Sequence, residues 1–284
     1  MTRYMILLLC LVGALLICFA FGGFCTTQWL WLLPVGFAGS FLVVALVIFL
    51  TLWISCLLVN TEKKQEKDSP YYRWLLGFIA DVAVWILRMR VHATGLEKMP
   101  KDGRFLLVSN HINDLDPVLL LSVFKKKQLA FISKRENDQK PFVGELMHKT
   151  MCQLINREND REALKTIINC IRLLQEDAVS IAVFPEGYTS MDGLLHPFRS
   201  GVFKIAQKAK VPIVVCTVQN TNRPFKNIKT LKPTDVYLHL LTVIQPEEFA
   251  DITTVELGNR IHTMMAEDLG PELVLQGETE NAED

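Results

Sequence analysis

An imidazole five positions ahead of a carboxylate, His111 and Asp116, is the pair in this chain best suited to moving a proton. A neutral histidine accepts a proton near neutral pH. A carboxylate bonded to its other ring nitrogen fixes the tautomer and stabilises the imidazolium that forms. On one continuous helix this offset would point the two side chains about 140° apart, so the pairing needs a loop between them. The sequence supplies one. The apolar run Phe105–Ser109 reads as a strand, Asn110 to Leu115 as a tight loop, and Asp116-Pro117 as a helix start with proline in its first turn. His111 then falls at the C-terminal end of a strand, where α/β proteins place ligands. Taken alone, the spacing fits equally a capping aspartate beside a histidine bonded to backbone.

A second constellation is Phe184-Pro185-Glu186-Gly187-Tyr188-Thr189-Ser190. Here the apolar run Val179–Phe184 ends in a Pro-Glu-Gly turn. Glycine admits a positive φ and lets backbone approach a ligand closely. A glutamate there is suited to orienting a hydroxyl or holding a cation, although in isolation the turn is ordinary. The sequence has no Gly-x-Ser-x-Gly elbow and no convincing metal-ligand cluster, which argues against a hydrolase.

The elements that must carry these residues alternate. Strands are expected at Phe105–Ser109, Leu129–Ser133, Gln153–Asn156, Val179–Phe184, Pro212–Val218 and Val236–Ile244. Helices are expected at Pro117–Lys126, Phe142–Thr150, Asp160–Gln175, Gly201–Ala209 and about Thr253–Leu269. Leu164, Ile167, Ile168, Ile171 and Leu174 mark an apolar stripe on the long middle helix. The pattern predicts an α/β domain over residues 105–270, a sheet flanked by helices, followed by an acidic, disordered tail over 271–284.

The N-terminal sixty residues differ sharply, with Arg3 their sole charged side chain in a chain of net charge +0. Tyr4–Phe24 is an apolar run of about 20 residues, the length that spans a bilayer core. A second run extends from Trp29 to Val59, interrupted by Pro34, with Thr26-Thr27-Gln28 and interface-favouring tryptophans between the two. The simplest reading of residues 1–60 is a transmembrane helical hairpin. Lys63, Lys64 and Lys67 after it put both ends, and the following domain, on the cytoplasmic face. A cleaved signal peptide and a re-entrant segment broken at Pro34 are the competing readings. Residues 61–104 read as a linker with a helix over Tyr71–Val91, lying either in the membrane interface or in the core of the domain. Seven scattered cysteines without a CxxC pair fit a reducing compartment. No basic arm points to nucleic acid.

With both constellations in view, the chain resembles the glycerolipid acyltransferases typified by lysophosphatidic acid acyltransferase. Four blocks carry the resemblance: Asn110-His111 through Asp116, Leu154-Ile155-Asn156-Arg157, Phe184-Pro185-Glu186-Gly187 and Val211-Pro212-Ile213. The family has Thr-Arg-Ser after the glycine of the third motif, where this chain has Tyr188-Thr189-Ser190. Arg199 is a candidate to replace that missing arginine on sequence proximity alone.

The resemblance implies acyl transfer from acyl-CoA or acyl carrier protein to the sn-2 hydroxyl of 1-acylglycerol 3-phosphate, giving phosphatidic acid for phospholipid biosynthesis. No cofactor is needed beyond the acyl thioester. His111 is expected as general base and Asp116 as its orienting partner. Arg157, Glu186, Gly187, Pro185, Lys134 and Asn110 are expected at the substrates, with Arg157 on the acceptor phosphate. Lys134 ranks above the Lys125-Lys126-Lys127 triplet, which equally reads as a solvated helix end. Expected partners are the lysophospholipid, the thioester and membrane lipids. The rival acceptors are glycerol 3-phosphate and other lysophospholipids. A rival of another class is an inactive membrane-anchored lipid-binding or scaffold protein.

Overall fold

The computed structural model describes residues 2–21, 24, 26–63, 65–156, 159–190 and 192–275. It divides into two compact units, Met1–Lys63 and Lys64–Asp284.

The first unit is a pair of antiparallel helices, α1 (Thr2–Ala20) and α2 (Trp29–Leu57). Ile6, Cys10, Ala14 and Cys18 recur every four residues and form the buried stripe of α1. Opposite them a Cβ on Gly36 would stand 3.2 Å from Ala14 Cα, so the two backbones approach closely at a glycine. Small residues at the contact are the means by which helices associate when lipid removes the hydrophobic drive. Leu8, Leu16, Phe19, Leu42, Leu46 and Leu57 remain exposed on the outer faces. Both helices are long and apolar enough to cross a membrane. α2 runs unbroken through Pro34, which removes the reading of a re-entrant break there.

The second unit opens with α3 (Pro70–Ile86) and β1 (Met89–Thr94). There follow β2 (Leu106–Ser109), α4 (Asp116–Val123), β3 (Leu129–Lys134), α5 (Val143–Lys149) and β4 (Gln153–Ile155). Then come α6 (Asp160–Gln175), β5 (Ser180–Val183), α7 (Lys204–Ala209), β6 (Ile213–Gln219), the single-turn α8 (Pro224–Asn227), β7 (Thr234–Ile244) and α9 (Thr254–Leu269). The strands make one seven-stranded sheet in the order β1-β7-β6-β2-β5-β3-β4. Every pairing is parallel except β6 with β7.

Every residue of the central strands β2 and β5 is buried, as a parallel sheet covered on both faces requires. Alternate side chains serve two cores. Leu106, Val108, Ile181 and Val215 pack with Leu173 of α6, Ile205 of α7 and Ile261 of α9. Leu107, Ala182 and Val214 pack on the other face with Leu119 and Leu120 of α4. The Asn159 and Thr253 side chains cap α6 and α9 by accepting from the backbone N–H groups of Glu162 and Glu256.

Two boundaries need correction. Within residues 61–104 the helix takes the core reading: α3 buries Leu75, Gly77 and Ala80. Arg73, itself nearly buried, bonds Asp68 at 2.7 Å and the Thr150 carbonyl at 2.9 Å. β1, which no apolar run announces, pairs along its length with β7 at the sheet edge. The domain therefore begins at α3 rather than at Phe105. The tail is also shorter than expected, because Pro271–Leu273 forms a turn and Val274 pairs with Leu195. Residues 276–284 lie outside the described residues.

Candidate active site

β2 delivers His111 to the C-terminal edge of the sheet, and the loop to α4 folds back so that Asp116 faces it. His111 Nδ1 stands 2.8 Å from Asp116 Oδ2. The same oxygen accepts from the backbone N–H groups of Ile112 at 2.7 Å and Asn113 at 2.9 Å. The second oxygen, Oδ1, accepts from the Thr221 hydroxyl. Asp116 is fully buried and surrounded by donors, so it acts as an acceptor only and His111 Nδ1 must carry the proton it shares. In the neutral ring Nε2 is then the acceptor. It meets the Thr189 hydroxyl at 2.9 Å.

The turn after β5 fixes the other side of His111. Glu186 is 1% exposed. Its Oε1 accepts from His111 N at 2.7 Å and its Oε2 from His196 N at 3.2 Å. Burial pushes its carboxyl up to about 8, against the pull of those two N–H groups. Phe184 stacks on the imidazole with centroids 4.1 Å apart. Ser190 donates to the His111 carbonyl from its backbone at 2.8 Å and from its hydroxyl at 3.1 Å. Farther along, the Tyr188 hydroxyl lies 2.9 Å from His196 Nδ1, and His196 Nε2 lies 3.0 Å from Asp192 Oδ2. Gly187 closes the turn at φ +84°, a conformation that favours glycine. An imidazole paired to a buried carboxylate, its far nitrogen turned to a hydroxyl, is equipped to deprotonate an alcohol.

The structure thus brings His111, Asp116, Pro185, Glu186 and Gly187 together, and it gives Asn110 and Glu186 backbone partners. Asn110 is 1% exposed and turns inward, donating to Val218 O at 3.0 Å and accepting from Val218 N at 2.8 Å. It ties β2 to β6 and has no face left for a substrate. Glu186 likewise has both oxygens on backbone N–H groups and so positions His111. Lys134 ends β3 with an exposed side chain and, among the described residues, has no hydrogen bond to the site. In the lysine triplet, Lys125 pairs with Asp81 and Lys127 bonds the Pro100 and Lys101 carbonyls, so both brace the local chain. Arg157 lies outside the described residues. Thr189, Thr221 and His196 escaped the sequence reading. Thr189 and His196 lie within or just beyond the second constellation, but nothing local marks Thr221.

A family model described as Acyltransferase matches residues 90–219. Among curated relatives, a 1-acyl-sn-glycerol-3-phosphate acyltransferase from Chlamydomonas reinhardtii is 32% identical over 84% of this chain and 69% of its own. One of the same name from Borreliella burgdorferi is 28% identical over 59% of this chain and 68% of its own. The crystal structure of the 1-acyl-sn-glycerophosphate acyltransferase PlsC from Thermotoga maritima superposes with a TM-score of 0.60 at 21% identity. That match covers 98% of this chain and 100% of the other, a likeness of fold.

Proposed function

The chain belongs to the acyltransferase family that contains the 1-acyl-sn-glycerol-3-phosphate acyltransferases, and from that membership we propose that it acylates the sn-2 hydroxyl of 1-acylglycerol 3-phosphate. The donor is an acyl thioester, acyl-CoA or acyl-loaded carrier protein, and the product is phosphatidic acid.

In this reading the acceptor hydroxyl takes the place of the Thr189 hydroxyl at His111 Nε2. The imidazole removes its proton as the oxygen attacks the thioester carbonyl. Asp116 holds the ring and stabilises the imidazolium at Nδ1. The thiolate leaves and takes the proton back from Nε2, so no covalent enzyme intermediate is required. The apolar helices α1 and α2 tether the chain to the bilayer, where a lysolipid reaches the site without its acyl chain crossing water.

The observation that carries the reading is the approach of a hydroxyl to Nε2 at 2.9 Å while Nδ1 is committed to a buried carboxylate. The test follows thiol release and phosphatidate formation in detergent with acyl-CoA and 1-acylglycerol 3-phosphate. His111→Ala is expected to lower kcat by about 10²–10⁴-fold with the fold intact, the range for loss of a positioned general base. Unchanged turnover would rule out the base assignment. Preference for glycerol 3-phosphate or for a lysophospholipid with a headgroup would replace the acceptor.

A further inference from the structure

We propose that the loop between β6 and β7 is a docking surface for anionic lipid, which turns the His111 edge of the sheet toward the bilayer. The proposal does not depend on which acceptor is acylated. It concerns the side of the sheet unit that meets a membrane.

The loop, Asn220 to Thr234, holds Arg223, Lys226, Lys229 and Lys232 and no carboxylate. The flanking acids along the chain are Asp192 and Asp235, and Asp235 faces Arg90 and His92. α8 runs on into a 3₁₀ turn, Ile228–Thr230, so residues three apart fall on the same side. Arg223, Lys226 and Lys229 thereby form an exposed row, and Lys232 is exposed just beyond it. Pro224 is buried, and Ile228 packs against the core shared with α4.

An acidic protein would match the charge, but the apolar residues decide for lipid. Phe225 is 53% exposed and Leu231 69%, both set among the cations. Cations draw such a segment to anionic headgroups, and large apolar side chains beside them gain by entering the acyl boundary. A bilayer is also within reach, since α1 and α2 are long and apolar enough to cross one.

The placement ties the loop to the site. β2 and β6 are parallel neighbours, so the loops that follow them leave the same edge of the sheet. The first carries His111. The second begins with Asn220 and Thr221, and the Thr221 hydroxyl donates to Asp116. The loop is braced rather than slack. The Asn220 side chain donates to the Asp235 carbonyl at 3.1 Å, and the Asn227 side chain to Thr234 Oγ1 at 2.8 Å. A lipid surface that holds Phe225 and Leu231 therefore brings the edge bearing His111 close to the headgroups. Four cations orient a chain that is already tethered; they are too few to anchor one alone.

The experiment places the full chain in nanodiscs of phosphatidylcholine alone or of a phosphatidylcholine–phosphatidylglycerol mixture, and follows amide hydrogen exchange by mass spectrometry. Amides of residues 225–232 are expected to exchange at least about fivefold more slowly in the anionic discs, the effect of one cation at such a surface. The difference should shrink at high salt, which screens surface charge. Amides of β2 and β5 should exchange equally in both discs. Combining Arg223→Gln, Lys226→Gln, Lys229→Gln and Lys232→Gln should abolish the difference, and Phe225→Ser with Leu231→Ser should reduce it at unchanged charge. Equal exchange of the wild-type loop in the two discs would overturn the proposal, and that comparison needs no variant to fold. A difference that survives the four glutamines would also overturn it, by placing the effect on other charges. Protection absent from both discs and gained only on adding an acidic acyl carrier protein would assign the loop to a protein partner instead. No substrate is present, so the result is independent of the acceptor assay.

Discussion

Asp116 and Glu186 are both buried beside one imidazole, and they differ in the number of their partners. Asp116 meets His111 Nδ1, two backbone N–H groups and the Thr221 hydroxyl, so both its oxygens have partners where it stands. Glu186 has only the N–H groups of His111 and His196, and burial raises its folded pKa from 4.5 to about 8. The consequence for stability has a definite sign. Between 4.5 and about 8 the folded chain retains a proton that the unfolded chain has released. Stability contributed by Glu186 therefore falls as pH rises through that window, and is lost above it. Glu186→Gln cannot titrate, so its melting temperature should vary less between those pH values than that of wild type. An identical pH slope in the two proteins would assign the dependence to other groups.

Asn110 acts at the scale of the strand pair. Its amide supplies one more rung between β2 and β6, donating to and accepting from the same Val218 backbone just where the strands give way to loops. That rung fixes the direction in which the chain leaves β2, and with it the place of His111. Removing it strands a buried donor and a buried acceptor on Val218. Asn110→Ala should therefore cost about 2–4 kcal/mol in denaturant unfolding, with activity falling alongside. A cost near zero would mean that water takes over both groups. The loop after β5 is fixed in a related way. The Leu195 N–H donates to Leu273 O at 2.8 Å, and the Leu275 N–H donates to Leu195 O at 3.1 Å. Residues beyond α9 thereby close over the loop that carries Glu186 and Thr189. The strand and helix runs were legible from local periodicity, to within a residue or two for α6 and β6. β1 was not, because Met-Arg-Val-His-Ala-Thr carries its strand character only through its pairing with β7.

At the scale of the whole molecule, two units of opposite surface chemistry share one chain. The α1–α2 pair buries small residues between its helices and leaves large apolar side chains exposed, the reverse of a water-soluble unit. The sheet unit buries its apolar residues in two cores. Deleting residues 1–60 should move the protein from the membrane fraction to the soluble fraction, measured by centrifugation after lysis, while the far-ultraviolet circular dichroism of the sheet unit persists. Retention in the membrane fraction would locate further attachment on the sheet unit itself, where Tyr71 and Trp74 are exposed on α3.

The sequence by itself determined the apolar hairpin, the alternation of strands and helices, and the loop that separates His111 from Asp116. Each of these is encoded by residues near one another in the chain, where periodicity and turn chemistry act. The tertiary structure decided how the polar groups are satisfied. Thr221 reaches Asp116 across 105 positions, and Thr189 reaches His111 Nε2 across 78. It also turned Asn110 and Glu186 onto backbone and laid Arg199 across Gly187. Apolar burial repeats with the local helix or strand period and can be read along the chain. A buried donor or acceptor takes whichever partner the sheet order brings to it, and that order exists only in three dimensions.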